Sequence, residues 1–168
     1  MRLEDAAAPP KEDRQSIVKP YALTHGTNDV YNLKETRQFY EEFLGLEVVR
    51  HAPPGMLFRC GMKFHVVCIE IGDKVAPKSL MHHWGLDVAT KEEVDAAWQK
   101  AQEYKDKYKI KQILPIEFQH GVYSFYMEDL NHTWWEIEYY DGCLHDDFFD
   151  FGDRFSMDST PLQPGAKA

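Results

Sequence analysis

The feature that most constrains this chain is an internal offset. His25 and His83 stand 58 residues apart, and the same spacing joins Val30 to Val88, Asn32 to Thr90 and Tyr40 to Trp98. Four coincidences in one short window argue for a duplicated unit. Each copy reads as one strand, a helix and three strands. The first helix begins at Asn32, a good N-cap, with Glu35 three residues on. Leu33, Phe39, Tyr40, Phe43 and Leu44 form its apolar stripe, and Gly45 ends it. The second begins at Thr90 with Glu93 in the capping-box position, and Val94, Ala97, Trp98, Ala101 and Tyr108 supply its buried face. Strands are expected over Tyr21–Asn28, Leu46–Arg50, Met56–Cys60 and Lys63–Ile71. In the second copy they are expected over His82–Ala89, Gln112–Phe118, Val122–Glu128 and Thr133–Tyr140.

One copy alone would leave a face of its sheet uncovered. The expected fold is therefore α+β, with two βαβββ modules pairing into one curved mixed sheet around a cleft, strands inside and helices outside. The modules fall at residues 19–75 and 79–142, within one domain spanning 19–142. A flexible leader over 1–18 precedes them, and an acidic, Phe-rich extension over 143–168 follows.

Composition narrows the function classes. The chain has 168 residues and a net charge of −9, from 19 basic and 28 acidic side chains. No Lys/Arg stripe offers the footprint of a nucleic-acid binder. No apolar run reaches the length of a membrane span, and the N-terminus lacks a signal-peptide core. Three cysteines (Cys60, Cys68, Cys143) form neither an even set nor a CxxC, which points to a reducing cytoplasm.

The histidines carry the chemistry. A single strand histidine is usually a satisfied core or surface residue, but the repeat puts His25 and His83 at equivalent places, near the middle of each first strand. There they would face each other across the cleft. Gly85, two residues after His83, would leave space beside it. In the hairpin from Tyr123 to Glu136, a turn centred on Asn131 makes Tyr126 and Glu136 cross-strand neighbours, with Glu138 on the same face. Glu136 sits among Trp134, Trp135 and Ile137. A buried carboxylate there is resolved by pairing or coordination, and the bland alternative is a surface carboxylate on a half-exposed strand. Two His and one carboxylate make the facial triad of non-haem Fe(II) chemistry, and Mn(II), Zn(II) or Ni(II) suit the same donors. His82, pointing the other way, is read as structural.

These residues resemble the vicinal oxygen chelate superfamily. The resemblance rests on His25-x4-Val30-x-Asn32-Leu33, Phe39-Tyr40, Leu44-Gly45 and His83-x4-Val88. It also rests on Asp129-Leu-Asn-His-Thr-Trp-Trp-Glu136, similar to the family's D-P-x-G-x-x-x-E turn, with Leu130 for the proline and His132 for the glycine. It implies one metal held by His25, His83 and Glu136. The superfamily includes glyoxalases, epimerases, fosfomycin-resistance transferases, extradiol dioxygenases and antibiotic-sequestering proteins.

Within it, Ser124-Phe125-Tyr126 looks like the S-F-Y element of type I extradiol catechol dioxygenases, whose tyrosine hydrogen-bonds the catecholate. His120-Gly121-Val122 resembles their R-H-G-V stretch, whose histidine lines the same pocket, although the interval to Tyr126 is about three residues short by that pattern. His65, on the closing strand of the first copy as the counterpart of Glu136, resembles their acid/base histidine. Glyoxalase-type enzymes use that position for a fourth ligand. The resemblance thus implies a cytoplasmic ring-cleaving dioxygenase using O2 and a small aromatic vicinal diol, a neutral phenolic by the chain's acidic charge, with a homodimer as the assembly to expect. The alternatives are a glyoxalase-like lyase, isomerase or thiol transferase, and a metal-free module that binds an aromatic compound. Of the extension, four phenylalanines among aspartates suggest a strip covering a sheet edge, a dimer contact or a lid over the cleft.

Overall fold

Both helix starts form as their caps dictate. Asn32 Oδ1 accepts from the Glu35 amide at 3.0 Å, and Thr90 Oγ1 accepts from the Glu93 amide at 3.2 Å. The helices run over Leu33–Glu42 (α1) and Lys91–Glu103 (α2). Gly45 takes φ +69°, the left-handed turn after α1 that a side chain would strain. The computed structural model describes residues 17–18, 20–61, 63–119 and 121–140. The C-terminal extension, most of the leader, His120 and Cys143 lie outside the described residues.

The strands are β1 (His25–Val30), β2 (Glu47–Arg50), β3 (Gly55–Arg59), β4 (His65–Glu70), β5 (His83–Asp87), β6 (Gln112–Ile113), β7 (Glu117–Gln119), β8 (Val122–Glu128) and β9 (Trp134–Tyr140). The α+β class and the two βαβββ modules are as expected. Two boundaries differ. β1 starts at His25, so His25 and His83 open their strands instead of lying mid-strand; Tyr21 and Leu23, 99% and 81% exposed, have no strand opposite them. The expected strand over 112–118 is split, because Pro115 has no N–H for the ladder.

The joining of the modules also differs from the expected single sheet. One sheet has the order β1-β4-β3-β2 and the other β5-β9-β8-β6, with β7 also on β8. In each, the first strand is parallel to the last and the rest antiparallel. Edge strands β1 and β5 share no ladder.

The faces that meet are the helix-bearing ones. Phe58 on β3 lies 5.8 Å (ring centroids) from Trp135 on β9, and Tyr40 of α1 packs edge-on to both. Phe39 of α1 and Phe43 at its C-cap reach Tyr108, beyond the end of α2. The two sheets therefore face each other across one core, with apolar residues Val30, Phe58, Val66, Phe125, Met127 and Trp135 inside.

A buried carboxylate ties the core together. Asp129 accepts from Trp135 Nε1 at 3.0 Å, from the Tyr40 hydroxyl at 3.2 Å and from the amides of Asn131 and Thr133. This explains an aspartate at that place in the turn: four donors converge on it, two of them from its own turn. Asn131 continues the link, accepting from the Tyr31 amide at 2.8 Å and bonding Thr36.

Alternation along the strands then decides the opposite faces. Phe58 pairs with Val66 inward, so His65 and its partner His25 point outward from the first sheet. Trp135 points inward, so Glu136, Glu138 and their β8 partners Tyr126 and Ser124 point outward from the second. Among the described residues, the expected cleft between strands of one chain does not form. Each module instead presents its own strand face, and the two faces look away from each other.

Candidate metal-binding half-site on the second sheet

The outer face of the second sheet gathers His83, Glu136, Tyr126 and Ser124. β5 and β9 are parallel, with Gly85 opposite Glu136, so His83 reaches forward over the glycine's neighbour. His83 Nε2 stands 3.3 Å from Glu136 Oε2. The other ring nitrogen, Nδ1, lies 2.8 Å from the Leu80 carbonyl. A carbonyl only accepts, so Nδ1 donates to it and the ring is held with Nε2 toward Glu136, the usual orientation behind a ligating histidine.

Glu136 is 9% exposed, and its second oxygen is fixed too: Ser124 Oγ donates to Oε1 at 2.7 Å. Tyr126 faces Glu136 directly across the β8–β9 pair and meets the His83 ring edge-on, with centroids 5.1 Å apart. Burial, and then the Glu136 carboxylate, raise the Tyr126 phenol well above the usual tyrosine range. It keeps its proton and acts here as a hydrogen-bond donor.

Gly85 has a further role that sequence reasoning gave only as empty space. A Cβ there would stand 2.6 Å from Glu138 Oε1, so the glycine admits the Glu138 carboxylate. Beside Ser124 and Tyr126 opens a cavity of about 360 Å³, its wall completed by Leu80, Met81, Leu114, Pro115, Glu117 and Gln119. Ser124 was readable only as part of the S-F-Y element; its bond to Glu136 needed the register of β8 on β9.

His25 and His65 lie elsewhere. They are direct partners on β1 and β4, their rings stacked at 5.7 Å and 18° on the outer face of the first sheet. The pairing also corrects the repeat: His25 opposes His65 as His83 opposes Trp134, so the counterpart of Glu136 is Val67, and His65 sits two positions earlier. His82, exposed, sits just before β5. His120 lies outside the described residues.

Among the described residues, no three His, Cys, Asp or Glu side chains come together closely enough to hold a metal. The His25/His83/Glu136 set is thus not assembled within one chain, because the packed core separates its members. What one chain does offer fits a divalent ion as a half-site: an imidazole Nε2 and a carboxylate Oε2 3.3 Å apart, with a hydrogen bond behind each donor.

Residues 28–137, more than half of the chain, match the model of the glyoxalase/bleomycin resistance protein/dioxygenase superfamily. The chain belongs to that superfamily. Solved members share its fold. The genomically encoded fosfomycin resistance protein FosX from Listeria monocytogenes is 18% identical, with 79% of this chain and 100% of FosX covered at a TM-score of 0.59. FosX complexed with Mn(II) and sulfate gives 17% identity over 79% and 99%, at 0.59. Lactoylglutathione lyase from Agrobacterium tumefaciens gives 18% over 71% and 94%, at 0.51. At these identities the likeness is one of fold. No curated protein matches the sequence. Among the described residues, no helix is long and apolar enough to cross a membrane.

Proposed function

We propose that this superfamily member is a metal-dependent enzyme, an extradiol-type dioxygenase acting on a small catecholic or related vicinal-diol aromatic. The observation that carries the reading is the meeting of His83 with Glu136 and with Tyr126, the last of which lines a cavity together with Ser124. His83 and Glu136 would hold the ion, Fe(II) first among the candidates. The third ligand, His25, would come from a second copy, since its own chain turns it to the far face. A homodimer in which the outer face of one chain's first sheet meets the outer face of the other's second sheet makes two such sites by symmetry.

Bound Fe(II) would supply Lewis acidity toward the diol and an electron path to O2. The protein's own part is positioning and proton handling. Tyr126, held neutral, donates to the diol oxygen that has lost its proton and orients the ring along the cavity. His65, next to His25, carries a proton to and from the reacting oxygens, a task suited to imidazole. O2 is the oxidant and both its atoms enter the ring-opened product.

One observation favours a second reading. His65 stacks on His25, so an ion that reaches His25 has a further imidazole beside it. As a fourth ligand, His65 would suit a glyoxalase-like lyase, isomerase or thiol transferase using Zn(II) or Ni(II). Replacing His65 with Phe separates the two. For the dioxygenase, metal content and catechol binding persist while oxygen uptake falls by about 10²–10⁴. For the glyoxalase-like reading, metal affinity drops roughly tenfold or more. Anaerobic loading with Fe(II), followed by oxygen uptake with catechol, tests the reaction itself; no uptake rejects the dioxygenase.

A further inference from the structure

The outer face of the first sheet holds a second cavity, of about 300 Å³, within the size range of sites for small organic molecules. Its wall is built from three strands. The register places Val49 beside Leu57 and Glu47 beside Arg59, and alternation turns all four outward with His65. Val49, 55% exposed on a central stretch of β2, is an apolar floor without a cover. Lys63 and His65 stand on one side.

The charges are unequal. Arg59 Nε is bound to Glu47 Oε2 at 2.7 Å, which leaves the pair neutral as a unit. Lys63 also lines the cavity and has no ion-pair partner among the described residues. A chain of net charge −9 thus carries, at this one apolar cavity, a local excess of positive charge. An apolar floor under an uncompensated ammonium is complementary to an organic anion whose hydrocarbon part lies on Val49 and Leu57.

We propose that this cavity binds the acidic end of an apolar organic anion, and that the substrate is a carboxylated aromatic instead of a neutral phenolic. The second clause rests on the dioxygenase reading, in which this face meets the His83–Glu136 face of another copy; the first does not. Binding needs neither metal nor turnover.

The test uses the full-length, metal-free protein and two probes of the same shape, 3-phenylpropionate and 3-phenylpropionamide, in calorimetric titrations at low salt. The carboxylate is expected to bind at least about tenfold more tightly than the amide, as a charge-assisted bond requires. Lys63→Met should abolish that preference. Glu47→Gln, which frees Arg59, should strengthen it. Equal binding of the two probes, no binding of either, or a preference that survives Lys63→Met overturns the site. With Fe(II) loaded, 3-(3,4-dihydroxyphenyl)propionate should exceed catechol in kcat/KM by a similar factor. Probe selectivity without that gain rejects the substrate assignment and keeps the site, whereas absent oxygen uptake with either diol is a failure of the dioxygenase reading alone.

Discussion

Ser124 Oγ donates to Glu136 Oε1 at 2.7 Å, and this bond decides which oxygen of the carboxylate is presented to His83. Glu136 is nearly buried, and Tyr126 also hydrogen-bonds its carboxylate. Ser124→Ala should leave the carboxylate free to rotate and weaken binding of a divalent ion by roughly 10–100-fold, the reach of a lost supporting hydrogen bond. Ser124→Thr should restore most of it. Competition against a coloured chelator measures both; an unchanged affinity in Ser124→Ala would show that the bond does not position the ligand.

Gly85→Ala is expected to push the Glu138 carboxylate aside, since Glu138 Oε1 fills the space over the glycine. The added methyl of Gly85→Ala would lie 2.6 Å from Glu138 Oε1, and Glu138 is only 8% exposed. Because the obstacle is the far end of a flexible side chain, the cost should sit at the low end of the about 1–3 kcal/mol of core overpacking. Removing the obstacle in Gly85→Ala/Glu138→Ala should recover much of the loss, so urea denaturation of the two singles and the double should give a non-additive cycle.

His132 holds φ +56° in the turn before β9, where a non-glycine residue is strained, and its Nδ1 lies 2.6 Å from the buried Glu128 carboxylate. The two effects oppose each other. His132→Gly removes strain and bond together and should change stability by less than about 1 kcal/mol. His132→Ala keeps the strain and loses the bond, and should be the less stable of the two. Chemical denaturation at neutral pH gives the order; alanine equal to or above glycine would refute it.

Asp129 should make stability respond to pH in the direction opposite to a surface carboxylate. Burial raises its pKa above the ordinary aspartate value, despite the bonds from Trp135, Thr133 and Asn131 that act the other way. Between its unfolded and folded values the native state binds more proton than the unfolded chain. Its contribution therefore falls as pH rises through the raised folded value, and is fully present below the unfolded one. Asp129→Asn removes this dependence and replaces one carboxyl oxygen with a donor amide that cannot accept from Trp135 and Tyr40. Denaturation midpoints of both proteins across the acid range should converge as pH rises through that window. Parallel curves would contradict the assignment.

Local chemistry made much of this legible in the sequence. Asn32 and Thr90 announce their helices because each cap needs only a residue three places on. The Tyr126–Glu136 pairing follows from equal distances to a turn at Asn131. The packing of the modules was not legible for a definite reason. β9 is buried on both faces, Trp135 against the other sheet and Trp134 under the segment that carries Lys78, whose carbonyl accepts from Trp134 Nε1 at 3.1 Å. A strand so covered shows no alternation to say which face meets the partner module. Hence His25, equivalent to His83 by repeat, was expected beside it and lies across the core. The local positive charge at Lys63 was likewise hidden in a composition that is acidic overall.

The opposed outer faces carry a genetic consequence. In a dimer that shares ligands, a chain with His25→Ala and a chain with Glu136→Gln are each inactive, yet a mixed pair places both lesions in one site and leaves the other intact. Random reassortment of the two proteins should then recover about a quarter of wild-type activity, the share expected for a twofold assembly with exchanged ligands. Complementation between two dead alleles would thus record, in a growth or oxygen-uptake assay, that the core of one chain stands between its own metal donors.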